Sequence, residues 1–320
     1  MKAIQVKQFG EADVMQLNDV EDLHPDKNQI KIDIKAIGVN PVDTYIRAGI
    51  YPTKPQLPYT PGFDAAGVIS EVGESVHDHK VGQRVYVFGS LTGCYAEAMI
   101  CDQHQVYALP DNVDFSAGAA LGVPYSTAYF AINYRAHAVP GETILIHGAS
   151  GSVGLAAIQI ARSKGLQVIG TAGTQKGIEL LKQQGVDAAF NHNEENYLSD
   201  LKDLTCDRGI NVILEMLANV NLANDLKLLA KFGRVIVIGN RGTVEIDPRD
   251  TMGKNASIMG MSLFNTSQQA LSQIHAAIYA GLRDGRYKPV IHSTSSLADA
   301  PKSHELVMEA GVNGKIILTP

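Results

Sequence analysis

The 320-residue sequence predicts an α/β protein in two parts, a β-rich domain followed by a doubly wound parallel sheet with helices on both faces. Two textures carry that expectation. Up to about Tyr107, short apolar or alternating runs are punctuated by Gly and Pro, the pattern of strands and turns. From about Ala117 onward, short apolar runs recur at roughly 20 to 30 residue intervals, each followed by an amphipathic stretch. That pattern is expected of buried parallel strands with crossover helices, which are right-handed by default. The length, about twice that of a typical domain, allows two cores.

In order along the chain, Ile30-Lys31-Ile32-Asp33-Ile34 and Arg84-Val85-Tyr86-Val87-Phe88 read as strands of the first part, where helices look scarce. The second part opens with the strand Thr143-Ile144-Leu145-Ile146-His147. It continues with Gln167-Val168-Ile169-Gly170, Asn211-Val212-Ile213-Leu214 and Arg234-Val235-Ile236-Val237-Ile238. Ser267 to Arg283 and Leu297 to Glu309 read as helices, and Lys315-Ile316-Ile317-Leu318 as a closing strand that could return to the first domain. Neither an internal repeat nor a low-complexity stretch is evident.

Apolar residues make up 45% of the chain and charged ones 19%, enough to build a core and too little charge for a solvated tail. A net charge of −6 disfavours nucleic-acid binding through overall charge. The sequence lacks the long apolar run of a membrane span, and its first residues lack a signal-peptide pattern, so a cytoplasmic location is expected. Cys94, Cys101 and Cys206 have no paired spacing and read as reduced core thiols.

The strand ending at Ile146 runs into His147-Gly148-Ala149-Ser150-Gly151-Ser152-Val153-Gly154 and then a helix with apolar Leu155, Ile158, Ile160 and Ala161. A dinucleotide fold needs a tight strand-to-helix turn, a residue without bulk at the pyrophosphate and a third small residue for packing of helix on strand. Gly151 and Gly154 suit the last two places, and Ala149 stands where the usual pattern has its first Gly. Selectivity for NAD calls for an acid about 20 residues further on. Gly170-Thr171-Ala172-Gly173-Thr174-Gln175-Lys176-Gly177 has none and offers Lys176 to a 2′-phosphate, so NADP(H) is expected; a solvated first-turn lysine is the plainer account of that residue. His192 is a second candidate for the adenosine end, or simply a loop histidine.

The run from Ile146 to Gly154 is accompanied by Gly38-Val39-Asn40-Pro41-Val42-Asp43-Thr44-Tyr45 before it and Glu215-Met216-Leu217-Ala218-Asn219-Val220-Asn221-Leu222 after it. Together they resemble the zeta-crystallin group of NADPH:quinone oxidoreductases, in the medium-chain dehydrogenase/reductase superfamily. The resemblance covers essentially the whole chain, including Pro61-Gly62-Phe63-Asp64 and Asn240-Arg241-Gly242-Thr243. It implies a GroES-like catalytic domain over residues 1–122, to which 265–320 return, and a Rossmann domain over 123–264. It also implies a cofactor site at Tyr45, Ser150, Gly151, Ser152, Val153, Gly173, His192, Asn221, Ile238, Gly239, Asn240, Arg241, Met261, Ser262 and Leu263.

The zinc-dependent alcohol dehydrogenases of that superfamily carry a Cys near Asn40, a His-Glu pair near Phe63-Asp64 and a second Cys near Val123. Those ligands and a four-cysteine structural lobe are absent here, so metal-assisted alcohol oxidation is not expected. A quinone accepts hydride or electrons without such help, because the developing charge spreads over its ring. Asn40, Tyr45 and Tyr51 are the expected lining of the acceptor pocket, with Tyr45 donating a hydrogen bond to the quinone oxygen; each equally suits fold support.

NADPH-dependent quinone reduction, with one-electron steps among the routes the resemblance implies, is therefore the leading expectation. An enal or enone reductase using the same cofactor is the second, and a binder of AU-rich RNA the third; DNA is not an expected partner. The resemblance further implies a homodimer or homotetramer, for which the charge-free segment Asn255–Met261 is the candidate sheet edge.

Overall fold

The computed structural model describes every residue except Asp207 and divides into two compact units. Residues 1–123 and 268–320 form the first and residues 124–267 the second. Among the described residues, no helix is long and apolar enough to cross a membrane.

The first unit begins with the antiparallel pair β1 (Lys2–Val6) and β2 (Met15–Asp19). A larger sheet follows, built from β3 (Gln29–Val39), β4 (Asp64–Val72), β5 (Arg84–Phe88), β6 (Ala98–Asp102) and β7 (Val106–Ala108). In β3, Ile30, Ile32 and Ile34 are buried at alternate positions, as an amphipathic strand requires, and beyond Ala36 every residue is buried. Helices are short here, as in α1 (Pro41–Arg47), which interrupts the strands; α2 (Gly122–Tyr129) lies mostly in the second unit.

The second unit holds β8 (Thr143–Ile146), α3 (Ser152–Ser163), β9 (Gln167–Ala172), α4 (Gln175–Gln183), β10 (Ala188–Asn191) and α5 (Tyr197–Leu204). It continues through β11 (Ile210–Glu215), α6 (Ala218–Leu228), β12 (Leu229–Val237) and β13 (Ser257–Gly260). The six strands are all parallel, in the order β10-β9-β8-β11-β12-β13. Counted from β8 this is 3-2-1-4-5-6, the doubly wound order that binds dinucleotides at the carboxyl ends of its strands. The central strands are continuous apolar runs because both faces are covered: Ile144, Leu145, Ile146, Val212, Ile213 and Leu214 are all fully buried.

The chain then returns to the first unit through α7 (Gln268–Arg283), β14 (Ile291–Ser296), α8 (Ala300–Leu306) and β15 (Lys315–Thr319). β15 pairs with β3, so the closing strand is an interior member of the seven-stranded sheet. Cys94 and Cys101 are buried, whereas Cys206 is exposed; the expectation of three core thiols holds for two, because Cys206 follows α5 in a surface turn.

Candidate cofactor and acceptor sites

In the second unit the turn after β8 departs from its sequence reading in one detail. The left-handed residue is Gly148, with φ +56°, one position before the Ala149 assigned to the tight-turn place. Ala149 is fully buried and serves instead as the floor on which the helix packs. A Cβ on Gly154 would lie 2.5 Å from Ala149 Cα, so only glycine lets α3 approach this closely. Gly151 is different. A Cβ there would meet only Gly148 O, at 3.4 Å, leaving open space in front of the N-terminus of α3, where unpaired N–H groups and the helix dipole favour a pyrophosphate.

The other candidates cluster at the same carboxyl ends of the strands. A Cβ on Gly177 would lie 3.3 Å from Ser150 Oγ, so the start of α4 reaches the glycine turn. Lys176 is exposed in the first turn of that helix, next to Thr174, whose side chain caps the helix by accepting from Gly177 N–H at 3.1 Å. His192 follows β10 and packs on Gly173, where a Cβ would lie 2.8 Å from Nε2. Gly239 packs on the carbonyl of Met216, Arg241 N–H donates to Asn219 Oδ1 at 2.9 Å, and Asn221 donates to Glu215 Oε1 at 3.2 Å. Met261 N–H donates to Val237 O at 3.2 Å; Ser262 and the buried Leu263 follow directly. Of the second-unit candidates, Ser152 and Val153 open α3, and Ile238 and Asn240 lie in the turn after β12.

In the first unit, Tyr45 and Tyr51 are half-buried and brought together, since Tyr51 N–H donates to Tyr45 O at 3.2 Å. Asn40 behaves otherwise. It is 1% exposed, its Nδ2 donates to Asp64 Oδ2 at 3.0 Å, and its Oδ1 accepts from Lys315 Nζ at 2.5 Å. Of the two readings given for Asn40, acceptor lining and fold support, these contacts favour the second, since both its polar atoms are engaged inside the unit. The same ammonium lies 2.7 Å from Asp64 Oδ2, and Asp64 Oδ1 accepts from Val123 N–H at 2.7 Å.

Asn40, Asp64 and Val123, three of the positions compared with zinc ligands, are thus brought together here. An amide, a phenyl ring at Phe63 and an isopropyl group do not suit zinc, and the local cation is the Lys315 ammonium.

Sequence reasoning missed this pair and a second buried cluster, His147, Glu215 and Asp225, in the second unit. The available signal was a charged residue at the end of an apolar run: Glu215 after Val212-Ile213-Leu214 and Lys315 before Ile316-Ile317-Leu318.

The model of the alcohol dehydrogenase GroES-like domain matches residues 26–111, and that of the zinc-binding dehydrogenases matches residues 152–278. Human quinone oxidoreductase is 48% identical, covering 99% of this chain and 97% of its own. The rat quinone oxidoreductase is 49% identical over the same shares. The chain belongs to the quinone oxidoreductase family. Among solved structures, the quinone oxidoreductase of Escherichia coli in complex with NADPH superposes with a TM-score of 0.92 at 28% identity, covering 100% of both chains. One of the matching models takes its name from zinc-binding dehydrogenases, whereas the donor set around Asp64 here is zinc-poor.

The buried Lys315–Asp64 pair yields a direct prediction. Lys315→Met leaves Asp64 uncompensated in the core and should lower unfolding free energy by about 3–5 kcal/mol, read as a lower urea midpoint. Adding Asp64→Asn to that variant should restore part of the loss. An unchanged midpoint in Lys315→Met would show that the pair does not hold the first unit together.

Proposed function

We propose that the protein is an NADPH-dependent quinone oxidoreductase, with the cofactor held by residues 124–267 and the acceptor by the unit that carries Tyr45. The observation that carries this is the 48% identity, along 99% of the chain, to human quinone oxidoreductase. The room left at Gly151 in front of α3 supplies the physical fit. When bound, NADPH supplies the hydride or its electrons.

The chain's own residues bind and orient. The N–H groups at Ser152 and Val153 receive the pyrophosphate, Gly151, whose own N–H donates to Gly148 O at 3.0 Å, leaves room for it, and Ser150 sits where α4 meets that turn. The end of β9 carries no acid to repel a 2′-phosphate, so Gly173, Lys176 and His192 receive the adenosine end. Asn221 and the turns at 238–241 and 261–263 complete the carboxyl edge of the sheet, where ligands of doubly wound folds lie. Tyr45, beside Tyr51, donates a hydrogen bond to a quinone oxygen as negative charge develops there. Asn40 acts as a positioning residue: its backbone N–H donates to Asp43 Oδ2 at 2.9 Å at the start of α1, the helix that carries Tyr45. Two copies pair through β13, the edge strand of the six-stranded sheet, where Ile258 is 38% exposed. The buried free thiols Cys94 and Cys101 suit a reducing, cytoplasmic setting.

Initial rates of NADPH oxidation with an ortho-quinone, run beside NADH and with a chelator, test the reading. Saturable, chelator-insensitive reduction that prefers NADPH is expected; NADPH binding without quinone reduction would overturn the acceptor assignment and favour enones. Lys176→Ala should raise KM for NADPH by about three- to tenfold, about 1 kcal/mol, and leave NADH unaffected. Equal losses for both nucleotides would remove the assigned role. Ile258→Lys should convert the assembly to monomers in light scattering, and an unchanged mass would place the interface elsewhere.

A further inference from the structure

Three titratable side chains from three elements of the second unit meet out of solvent: His147 beyond β8, Glu215 at the end of β11 and Asp225 in α6, at 3%, 0% and 1% exposure. His147 Nε2 lies 2.8 Å from Asp225 Oδ1 and 3.6 Å from Glu215 Oε2. Glu215 Oε1 accepts from Leu217 N–H and from Asn221 Nδ2. The remaining oxygens, Glu215 Oε2 and Asp225 Oδ2, are buried without a donor among the described residues. One ligand atom from each of the three side chains lies within 4.8 Å of the other two, and two carboxylates this close in a dry interior cannot both stay ionised, so the cluster holds a proton.

The cluster joins two turns. His147 leads directly into Gly148 and the pyrophosphate turn, while Glu215 fixes Leu217 N–H and Asn221, which the cofactor assignment places at the other end of the site. We propose that Glu215 and Asp225 share one proton, that with His147 they act as positioning residues holding the glycine turn and the Asn221 helix together for NADPH, and that removing the proton weakens cofactor binding. The inference rests on the NADPH reading above.

Its pH sign follows from burial, which is the main cause lifting both carboxyl groups to about 7. The shared proton is fully held well below that pH and lost as pH rises through it. The titratable groups facing the cluster are His147 on the β8 side, Tyr197 from α5 and, through His147, His192 beyond β10. Burial pushes both histidines down and Tyr197 up, which opposes a positive charge on either ring and a negative one on the phenol. The charge gained on raising the pH is therefore an added negative one, behind a turn that must receive a polyanion.

The test is KM for NADPH against pH in the full-length protein, with NADPH oxidation near pH 7 as an independent check of the cofactor reading. From about pH 6 to about pH 8.5, KM in the wild type should rise about fivefold, the effect of about 1 kcal/mol of added repulsion. Glu215→Gln presents a neutral amide that donates to Asp225 without a titrating proton, and the rise should shrink to less than about twofold. Glu215→Ala removes the acceptor for Leu217 and Asn221 and should raise KM at both ends of the range, with Glu215→Gln recovering most of that loss at the acid end. Parallel pH profiles in the wild type and Glu215→Gln would overturn the proposal. Should Glu215→Gln fail to fold, Asp225→Asn, read in the same way, decides it. Calorimetry of NADPH binding to the wild type near pH 8, in two buffers of different ionisation enthalpy, gives a second readout. Proton uptake is expected, and its absence contradicts the shared proton.

Discussion

The second unit of this molecule depends on one close approach, the contact of Gly154 with the backbone of Ala149. It brings α3 down onto β8 so tightly that no side chain fits, and it turns the first N–H groups of the helix toward the open space at Gly151. The parallel sheet supplies the rest: with the order β10-β9-β8-β11-β12-β13, the carboxyl ends of all its strands lie along one edge. A second close backbone contact lies along that edge, at Gly239 on Met216, while a Cβ at Gly177 would meet the side chains of Ala172, Thr174 and Ser150. At Gly154 and Gly239 glycine is required because backbone must pass backbone.

The second constraint is electrostatic and operates in both units. Each buries charge at the end of an apolar strand, beside charged partners distant in sequence. Lys315, on the last strand, binds Asp64 and Asn40 on the first unit's inner strand ends, and thereby ties the returning C-terminal segment to the sheet. Glu215, Asp225 and His147 do the equivalent between β11, α6 and the glycine turn. Such groups are costly to bury, and a partner lost from either set leaves an uncompensated charge or an unpaired oxygen. Both sets adjoin elements that carry assigned site residues, α1 with Tyr45 and α6 with Asn221.

The strand-to-helix alternation was legible because buried parallel strands must be continuous apolar runs and their helices amphipathic; β9 and β11 contain the runs read from sequence, and β8 and β12 contain all but the last residue of theirs. The glycine turn was legible because backbone sterics restrict it to few residue types, though the left-handed position fell on Gly148. Asn40 stood between two readings for a physical reason. Its amide looks the same in sequence whether it faces a ligand or a buried ammonium 275 positions away, and only the pairing of β15 with β3 decides between them. The His147–Glu215–Asp225 cluster was hidden likewise, since its members are separated by up to 78 residues and belong to different elements.

The claim on which the account turns is that the ends of β8 and β9 form a site for a nucleotide bearing a 2′-phosphate. Isothermal calorimetry of NADPH and of NADH against the native protein, at fixed ionic strength, tests it most directly. Dissociation constants at least about tenfold lower for NADPH, roughly 1.4 kcal/mol, are the predicted result. Equal affinity, or tighter binding of NADH, would contradict the assignment of the β9 end and with it the function proposed for this chain.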